Sequence, residues 1–181
     1  MNDLSLHIID IVQNSISAGA TLITIYVDEN IIANLLTIKI IDNGKGMTRE
    51  QVDKLADPFF TSRTTRRVGL GIPLFKQSAE QSGGSLNINS ILGVGTTVTA
   101  TFIPSNIDCP PLGDVSNAVV LLASANPLID FMFEYTFNGK QYCFDTREVK
   151  DILDGLSINN PSIVKYLEEM IKENINELKK C

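Results

Sequence analysis

The sequence predicts an α/β protein followed by a smaller α+β segment. Apolar and polar residues alternate over 21–27, 36–41, 85–91 and 96–103, and this period of two is typical of half-buried strands. Residues 4–16 instead carry apolar side chains mostly three and four positions apart, which indicates an amphipathic helix with one face in the core. At 181 residues the chain is long enough for one domain of ordinary size and a small appendage.

Composition and charge exclude several classes of protein. Hydrophobic residues make up 44% and charged residues 20% of the chain, no apolar run reaches the ~18 residues of a membrane span, and no basic leader precedes an apolar stretch. We therefore expect a cytoplasmic protein without membrane contact. Three widely separated cysteines fit a reducing compartment. The formal net charge of -6 argues against nucleic acid as a partner, because binding of that kind needs a basic face.

The first helix also carries a polar stripe. His7, Asp10, Asn14 and Ser17 recur at the helical period, so Asp10 and Asn14 project in the same direction one turn apart. A solvated face is one interpretation of this stripe. A pair of side chains that faces a metal and phosphate ligand is the other.

The segment 42–47 contains an acid and two glycines directly after a predicted strand. Asp42 is expected just past the end of strand 36–41, where a rigid sheet would hold its carboxylate. Gly44 and Gly46 leave room for a flat or charged group to approach the backbone. The same residue types also make ordinary turns, so this segment alone does not decide between a turn and a ligand site.

A second unusual stretch covers residues 57–67. Two adjacent phenylalanines are followed by Arg63, Arg66 and Arg67 among hydroxyl side chains, without strand or helix period. This pattern predicts a loop that closes over an anion, with a solvated surface as the alternative. Gly69 and Gly71 then open a helix and leave backbone amides free at its amino end, which favours phosphate.

In their order and spacing, these signals in residues 3–104 resemble the GHKL superfamily of ATP-binding domains, which includes gyrase, the heat-shock chaperone, histidine kinases and MutL. The resemblance implies the Bergerat fold, a two-layer α/β sandwich with a mixed sheet and helices on one face, and ATP with Mg2+ as cofactors. Asn14 matches the asparagine that holds Mg2+ against the phosphates, and Asp42 matches the acid that receives the adenine amino group. Thr96, in the turn after Gly93, matches the threonine that helps to hold adenine.

The remaining matches complete the expected site. Residues 57–62 look like the lid of histidine kinases, whereas residues 13–21 look like the MutL version of the asparagine motif. The resemblance places the first glycine pair beside adenine and the second under the phosphates. The ATP-binding residues implied by the resemblance are Asn14, Asp42, Gly44, Gly46, Met47, Arg63, Arg66, Arg67, Gly69, Leu70, Gly71, Ile72 and Thr96.

Two departures from the family pattern concern the chemistry. Four residues before Asn14, where the hydrolysing and serine-phosphorylating branches have glutamate, this chain has Asp10, which either acts as a general base for water or a protein hydroxyl or only orients metal-bound water. Three residues after Asn14, histidine kinases have a phosphate-binding lysine, but this chain has Ser17. The positive charge is therefore expected from the three arginines of the loop.

The segment before Asn14 is too short for the dimerising helices that carry the phosphoacceptor of a histidine kinase. His7, the only histidine, lacks the acidic and proline neighbours of an acceptor motif, and we expect it to be structural or at the rim of the cleft. Any kinase activity is therefore expected to act on a partner protein in trans, as in the anti-sigma-factor serine kinases of the superfamily.

The carboxyl-terminal part shows no family signature. We expect residues 1–104 to form the ATP-binding domain, 105–113 a proline-containing linker and 114–181 a small α+β domain of unknown role. Asn138-Gly139 predicts a hairpin between two short strands. The last helix, from Pro161, has an apolar stripe that either packs on its own domain or forms a dimer or partner surface.

The sequence thus predicts an Mg-ATP-binding domain of signal transduction. It acts either as a protein kinase or slow ATPase, or as a non-catalytic regulatory module that responds to ATP. A MutL-like ATPase is less favoured because the chain is acidic. Its expected partners are ATP and a protein, which is either a phosphoacceptor or a second copy of the chain.

Overall fold

The computed structural model describes residues 3–55, 57 and 70–180. Its strands are β1 Leu22–Asn30, β2 Leu35–Asp42, β3 Ser85–Ile91, β4 Gly95–Phe102, β5 Asp130–Phe137 and β6 Lys140–Asp145. They form one mixed sheet in the order β3-β4-β2-β1-β5-β6. All neighbouring pairs are antiparallel except β1 and β5, which run parallel.

Helices cover one face of this sheet. They are α1 Leu4–Ser17, α2 Arg49–Leu55, α3 Gly71–Gln81, α4 Val115–Ala125, α5 Thr146–Leu153 and α6 Pro161–Lys179. Alternate residues of the central strands, such as Ile25 in β1 and Phe133 in β5, are fully buried, whereas their neighbours in sequence are partly exposed. The expected two-layer α/β sandwich with a mixed sheet is confirmed. None of the helices in the described ranges is long and apolar enough to span a membrane.

The carboxyl-terminal strands continue the sheet of the amino-terminal part. β5 pairs with β1 along its whole length, from Leu22↔Asp130 to Glu29↔Phe137, and one hydrophobic cluster extends from Leu4 to Ile175. Sequence patterns do not identify the pairing partner of a strand more than 100 residues away, because alternation reports burial and not neighbours. Whether residues 105–113 separate two folding units stays a prediction.

The segment 105–113 is irregular and bonded to the first helix. The backbone N–H groups of Leu4 and Ser5 donate to the carbonyls of Pro111 and Leu112, both at 2.9 Å. Asp3 caps the same helix end through its side chain, which accepts from Leu6 N–H. The segment therefore supplies acceptors for amides that a helix end leaves without intrahelical partners.

One detail of the site segment differs from the expectation. Asp42 does not lie just past the second strand but is its last residue, paired with Ile23 of β1 and with Thr96 of β4. The strand is longer than its alternation suggested because neighbours on both sides extend the ladder to this residue. Asp42 therefore has a backbone that is fixed by the centre of the sheet.

Candidate nucleotide-binding site

The Asp42 side chain is buried at this edge of the sheet and held by two hydrogen bonds. The carboxylate is 9% exposed, its Oδ2 accepts a hydrogen bond from Ser15 Oγ at 2.6 Å, and its Oδ1 accepts from Gly44 N–H at 2.9 Å. Each carboxylate oxygen has a second lone pair. The residue can therefore accept a further hydrogen bond from a ligand without giving up either of its partners in the protein.

A pocket of about 210 Å³ opens beside this carboxylate. It is smaller than the ~300–1,000 Å³ of pockets that enclose whole drug-sized ligands, so it suits one ring system with the rest of the ligand outside. Most of the lining area is apolar, with a few polar groups that converge on the space. The lining residues are Ile11, Asn14, Ser15, Ser17, Ala18, Asp42, Lys45, Gly46, Met47, Leu55, Ile72, Thr96 and Val98.

The two glycines after Asp42 are explained by protein packing as well as by ligand approach. Gly46 has φ +67°, and a Cβ there would lie 2.0 Å from the carbonyl oxygen of Ile91. At Gly44 a Cβ would lie 2.9 Å from the carbonyl oxygen of Ala18 and 3.0 Å from Asp42 Oδ1. The loop therefore passes between the end of α1 and the β3–β4 hairpin at a distance that only glycine allows.

Thr96 lies across the strand pair from Asp42 and bonds to the neighbouring strand. Its Oγ1 is 2.8 Å from Ser90 Oγ, and the same serine oxygen accepts from Met47 N–H at 2.8 Å. Ser90 thus links the loop of residues 42–47 to β3 and β4. Sequence reasoning missed both Ser15 and Ser90, although Ser15 directly follows Asn14 and Ser90 lies opposite Thr96 in the predicted hairpin.

Asp10 and Asn14 lie on α1 beside the start of α3. Both side chains are half-buried, and Asn14 lines the pocket. Asp10 is one turn nearer the start of α1, in contact with α3, because a Cβ on Gly71 would lie 3.3 Å from Asp10 Cβ. The candidate base is therefore next to the candidate phosphate end.

The amino end of α3 has no side-chain cap among the described residues. Its N-cap residue is Leu70, which makes no side-chain capping bond, and the third residue of the helix is Pro73, which has no N–H. Within the part of the chain that the structure describes, no side chain caps the amides of Gly71 and Ile72, and an anion at this end would be stabilised by the helix dipole.

The structure brings six of the expected residues together around one pocket, namely Asn14, Asp42, Gly46, Met47, Ile72 and Thr96, with Gly44, Leu70 and Gly71 beside it. The expected residues Arg63, Arg66, Arg67 and Gly69 lie outside the described residues, so the cationic loop stays a prediction. Lys45 lines the pocket and was not among the expected site residues, although it lies within the segment 42–47.

His7 is buried between α1 and α3. It is 2% exposed, its ring stacks on Phe75 with centroids 5.2 Å apart, and its Nε2 is 3.1 Å from Ser78 Oγ. Nδ1 is buried without a hydrogen-bond partner among the described residues. Burial lowers the pKa of His7, and the nearby Asp10 opposes this shift only in part. The side chain therefore packs as a neutral imidazole.

The geometry agrees with a comparison of the sequence with protein families. Residues 2–106 match the model of the Histidine kinase-, DNA gyrase B-, and HSP90-like ATPase family. The chain belongs to this family. The matched range contains each residue of the candidate site and none of the strands β5 and β6.

Two of the curated relatives of the chain carry the names of bacterial kinases. The chain is 36% identical over 95 residues to Sporulation kinase B of Bacillus subtilis (strain 168), a match that covers 51% of this chain and 22% of that protein. It is 34% identical over 97 residues to Sensor protein kinase WalK of Staphylococcus haemolyticus (strain JCSC1435), with 51% and 16% covered. These matches span less than a quarter of each relative.

A solved structure shares the fold beyond the family segment. The structure titled "Crystal Structure of N terminal domain of a DNA repair protein" superposes with a TM-score of 0.58 at 18% identity. The superposition covers 79% of this chain and 52% of that one. At this identity the likeness concerns the fold alone.

The site residues fit an adenine nucleotide with Mg2+. A buried acceptor beside a small pocket with apolar walls suits a flat base that bears an amino group, and the amino end of α3 suits phosphate. No group of three or more His, Cys, Asp or Glu side chains that could hold a metal occurs among the described residues. Asn14 is the residue that would hold Mg2+, through its amide oxygen, and the metal would offset phosphate charge there.

Proposed function

We propose that this chain binds Mg-ATP at the pocket beside Asp42 and transfers the terminal phosphoryl group to a hydroxyl of a partner protein or to water. The observation that carries this proposal is the Asp42 carboxylate, held by Ser15 and Gly44 with acceptor capacity left toward the pocket. The kinases among its relatives support ATP binding and phosphoryl transfer as the kind of activity. The partner, and transfer in trans, rest on the sequence alone.

Each side chain of the site has a role in this proposal. Asp42 accepts a hydrogen bond from the amino group of the base, and Thr96 and Met47 border the base. Asn14 would hold Mg2+, which offsets phosphate charge when it is bound. The amides of Gly71 and Ile72, with the arginines of the loop, would bind the phosphate oxygens, so that positioning and electrostatics supply most of the rate.

Asp10 is the proposed general base. It takes the proton of the attacking hydroxyl or water as the new P–O bond forms and the bond to the ADP oxygen breaks. Its place beside Gly71, at the candidate phosphate end, supports this role. Positioned bases contribute typically ~10²–10⁴-fold.

The test compares the wild type with Asp10→Asn. Phosphate release from Mg-ATP is measured with and without candidate acceptors, and calorimetry gives the ATP affinity of both proteins. We expect the variant to bind ATP as the wild type does and to turn over about 10²-fold or more slowly. Failure of the wild type to bind ATP would contradict the whole proposal.

A second candidate function is a regulatory module that binds ATP without turnover. The shorter side chain of aspartate favours it, because Asp10 reaches less far than the glutamate of the hydrolysing branches. In that case wild type and Asp10→Asn bind ATP equally, neither releases phosphate, and ATP instead changes the protease sensitivity of the chain or its affinity for a partner.

A further inference from the structure

A second cavity, of about 510 Å³, lies in the part of the chain outside the family match. It is lined by residues of β6, α5 and α6, and we refer to it as the C-terminal groove. Its walls are mostly apolar and include Phe144, Val149, Leu153, Ile163, Leu167 and Met170. Ile152 and Tyr166 at its mouth are 82% and 66% exposed, so large apolar side chains face water here.

The groove runs along a strand edge that has no partner in the described sheet. β6 pairs with β5 through a two-residue turn in which Asn138 and Gly139 both have positive φ, so Phe137↔Lys140 is the hydrogen-bonded closing pair. Pairs alternate along an antiparallel ladder, and the N–H and C=O groups of Gln141 and Cys143 therefore point away from β5. Neither residue makes another backbone hydrogen bond within the described ranges.

Two lysines of α6 face away from the C-terminal groove. Lys172 and Lys179 face the body of the protein, where they reach Asp114 at 3.8 Å and Glu29 at 3.2 Å, and Lys165 lies at the same seven-residue spacing. Glu173 lies seven residues after Tyr166 and three after Met170, both of which line the groove, so it shares their side of the helix.

Two carboxylates, those of Glu148 and Glu173, therefore lie at or beside the rim of the groove. Glu148 of α5 lines it directly, and neither Glu148 nor Glu173 forms an ion pair with another described residue. Among the described lining residues there is no lysine or arginine. A second copy of this chain would bring the same carboxylates to a two-fold interface, which disfavours self-association through this face.

We propose that the C-terminal groove binds an extended segment of a partner protein, which adds to β6 as a seventh strand. The segment's backbone bonds to Gln141 and Cys143, one or two of its apolar side chains enter the groove, and its lysine or arginine side chains lie beside Glu148 and Glu173. Strand addition of this kind takes affinity from backbone hydrogen bonds and specificity from the pockets for alternate side chains. The proposal does not depend on the nucleotide site.

The test begins with a library of random 12-residue peptides displayed on phage. The library is selected on the full chain and, in parallel, on the double variant Glu148→Lys/Glu173→Lys. We expect the wild type to enrich peptides in which apolar residues alternate with Lys or Arg, and the double variant to enrich acidic ones. Absence of enrichment on the wild type, or identical peptides from both selections, would overturn the proposal.

Affinities of an enriched synthetic peptide then test the geometry by fluorescence anisotropy. Cys143→Pro removes one outward N–H and leaves the β5 ladder intact, and a net loss of one hydrogen bond predicts about 3- to 10-fold weaker binding. The double charge variant should weaken binding about 4- to 20-fold. The matched control Lys165→Glu, on the far side of α6, should change it less than twofold.

Two further outcomes would refute the proposal. One is an enriched peptide that binds the double charge variant as tightly as the wild type. This measurement remains informative if Cys143→Pro fails to fold. The other is a concentration-dependent dimer in gel filtration that the double charge variant abolishes, because it would mean that a second copy occupies the groove. Circular dichroism and ATP affinity of each variant serve as checks on folding.

Discussion

Replacing Asp42 by asparagine should separate ligand recognition from folding. An asparagine oxygen can still accept from Gly44 N–H, and the Ser15 hydroxyl can turn to accept from the new amide, so both protein partners keep a bond. We therefore expect the free energy of unfolding to change by less than about 1 kcal/mol.

Recognition of the base should change much more. A hydrogen bond between a charged acceptor and an amino group contributes ~1.5–3 kcal/mol, and two donors that face each other in a buried site cost ~1–3 kcal/mol. Together these predict a loss of about 3 to 4 kcal/mol, or roughly 10²- to 10³-fold in ATP affinity. A site that hydrogen-bonds a polar group of its ligand discriminates against an analogue without that group for the same reason, because buried polar groups of the site are then left unpaired.

Calorimetric titration with ATP and with ITP tests this reasoning. ITP carries a carbonyl in place of the amino group, so the wild type should prefer ATP strongly, and Asp42→Asn should lose or invert that preference. Ser15→Ala is the matched control, because it removes a partner of Asp42 without changing the group that faces the base. An unchanged ratio of ATP to ITP affinity in Asp42→Asn would refute the placement of the base against this residue.

Three further changes test the fold around the site. Gly46→Ala should lower the free energy of unfolding, measured by urea titration, by about 1–3 kcal/mol more than Gly93→Ala, and it should also weaken ATP binding. Both positions have positive φ, but of the two only Gly46 would bring its Cβ against a backbone oxygen, at 2.0 Å. Acidification should destabilise the wild type, because the unfolded chain takes up a proton on its one histidine below pH about 6.5, whereas burial lowers the pKa of His7 in the folded chain. The loss begins as pH falls through the unfolded value and ends below the folded one, and His7→Phe should flatten this part of the pH profile. A fragment of residues 1–113 exposes the β1 edge that β5 covers in the full chain. Circular dichroism should show that the fragment has a markedly lower melting temperature than the full chain, or no cooperative transition. A melting temperature equal to that of the full chain would favour two separate domains.

Local patterns carried much of the fold and the site. The alternation in residues 21–27 and 36–41 follows from burial of one strand face, and the helical stripe of residues 4–16 follows from burial of one helix face. Both patterns can therefore be recognised without knowledge of the neighbouring elements. The order of Asn14, Asp42, Gly44, Gly46 and Thr96 along the chain then identified a family that the family comparison confirms.

Contacts between segments that are distant in the chain could not be predicted from such local patterns. The bond from Ser15 to Asp42 crosses 27 residues, and Ser90 bonds to Met47 across 43. A serine carries no local sign of its partner, because its hydroxyl serves equally well at a cap, on a surface or beside a buried acid. These two residues therefore emerged only from the tertiary structure.

The sequence by itself determined which elements form and which residues could meet a nucleotide, since these depend on period, capping and the conformational range of glycine. Only the tertiary structure decided that β5 lies parallel to β1, and that β6 is the edge strand of the described sheet, beside the C-terminal groove. Strand order depends on the assembled core. Which strands pair is determined by how the sheet packs on its helices and by the chain connections, and not by the residues of any one strand.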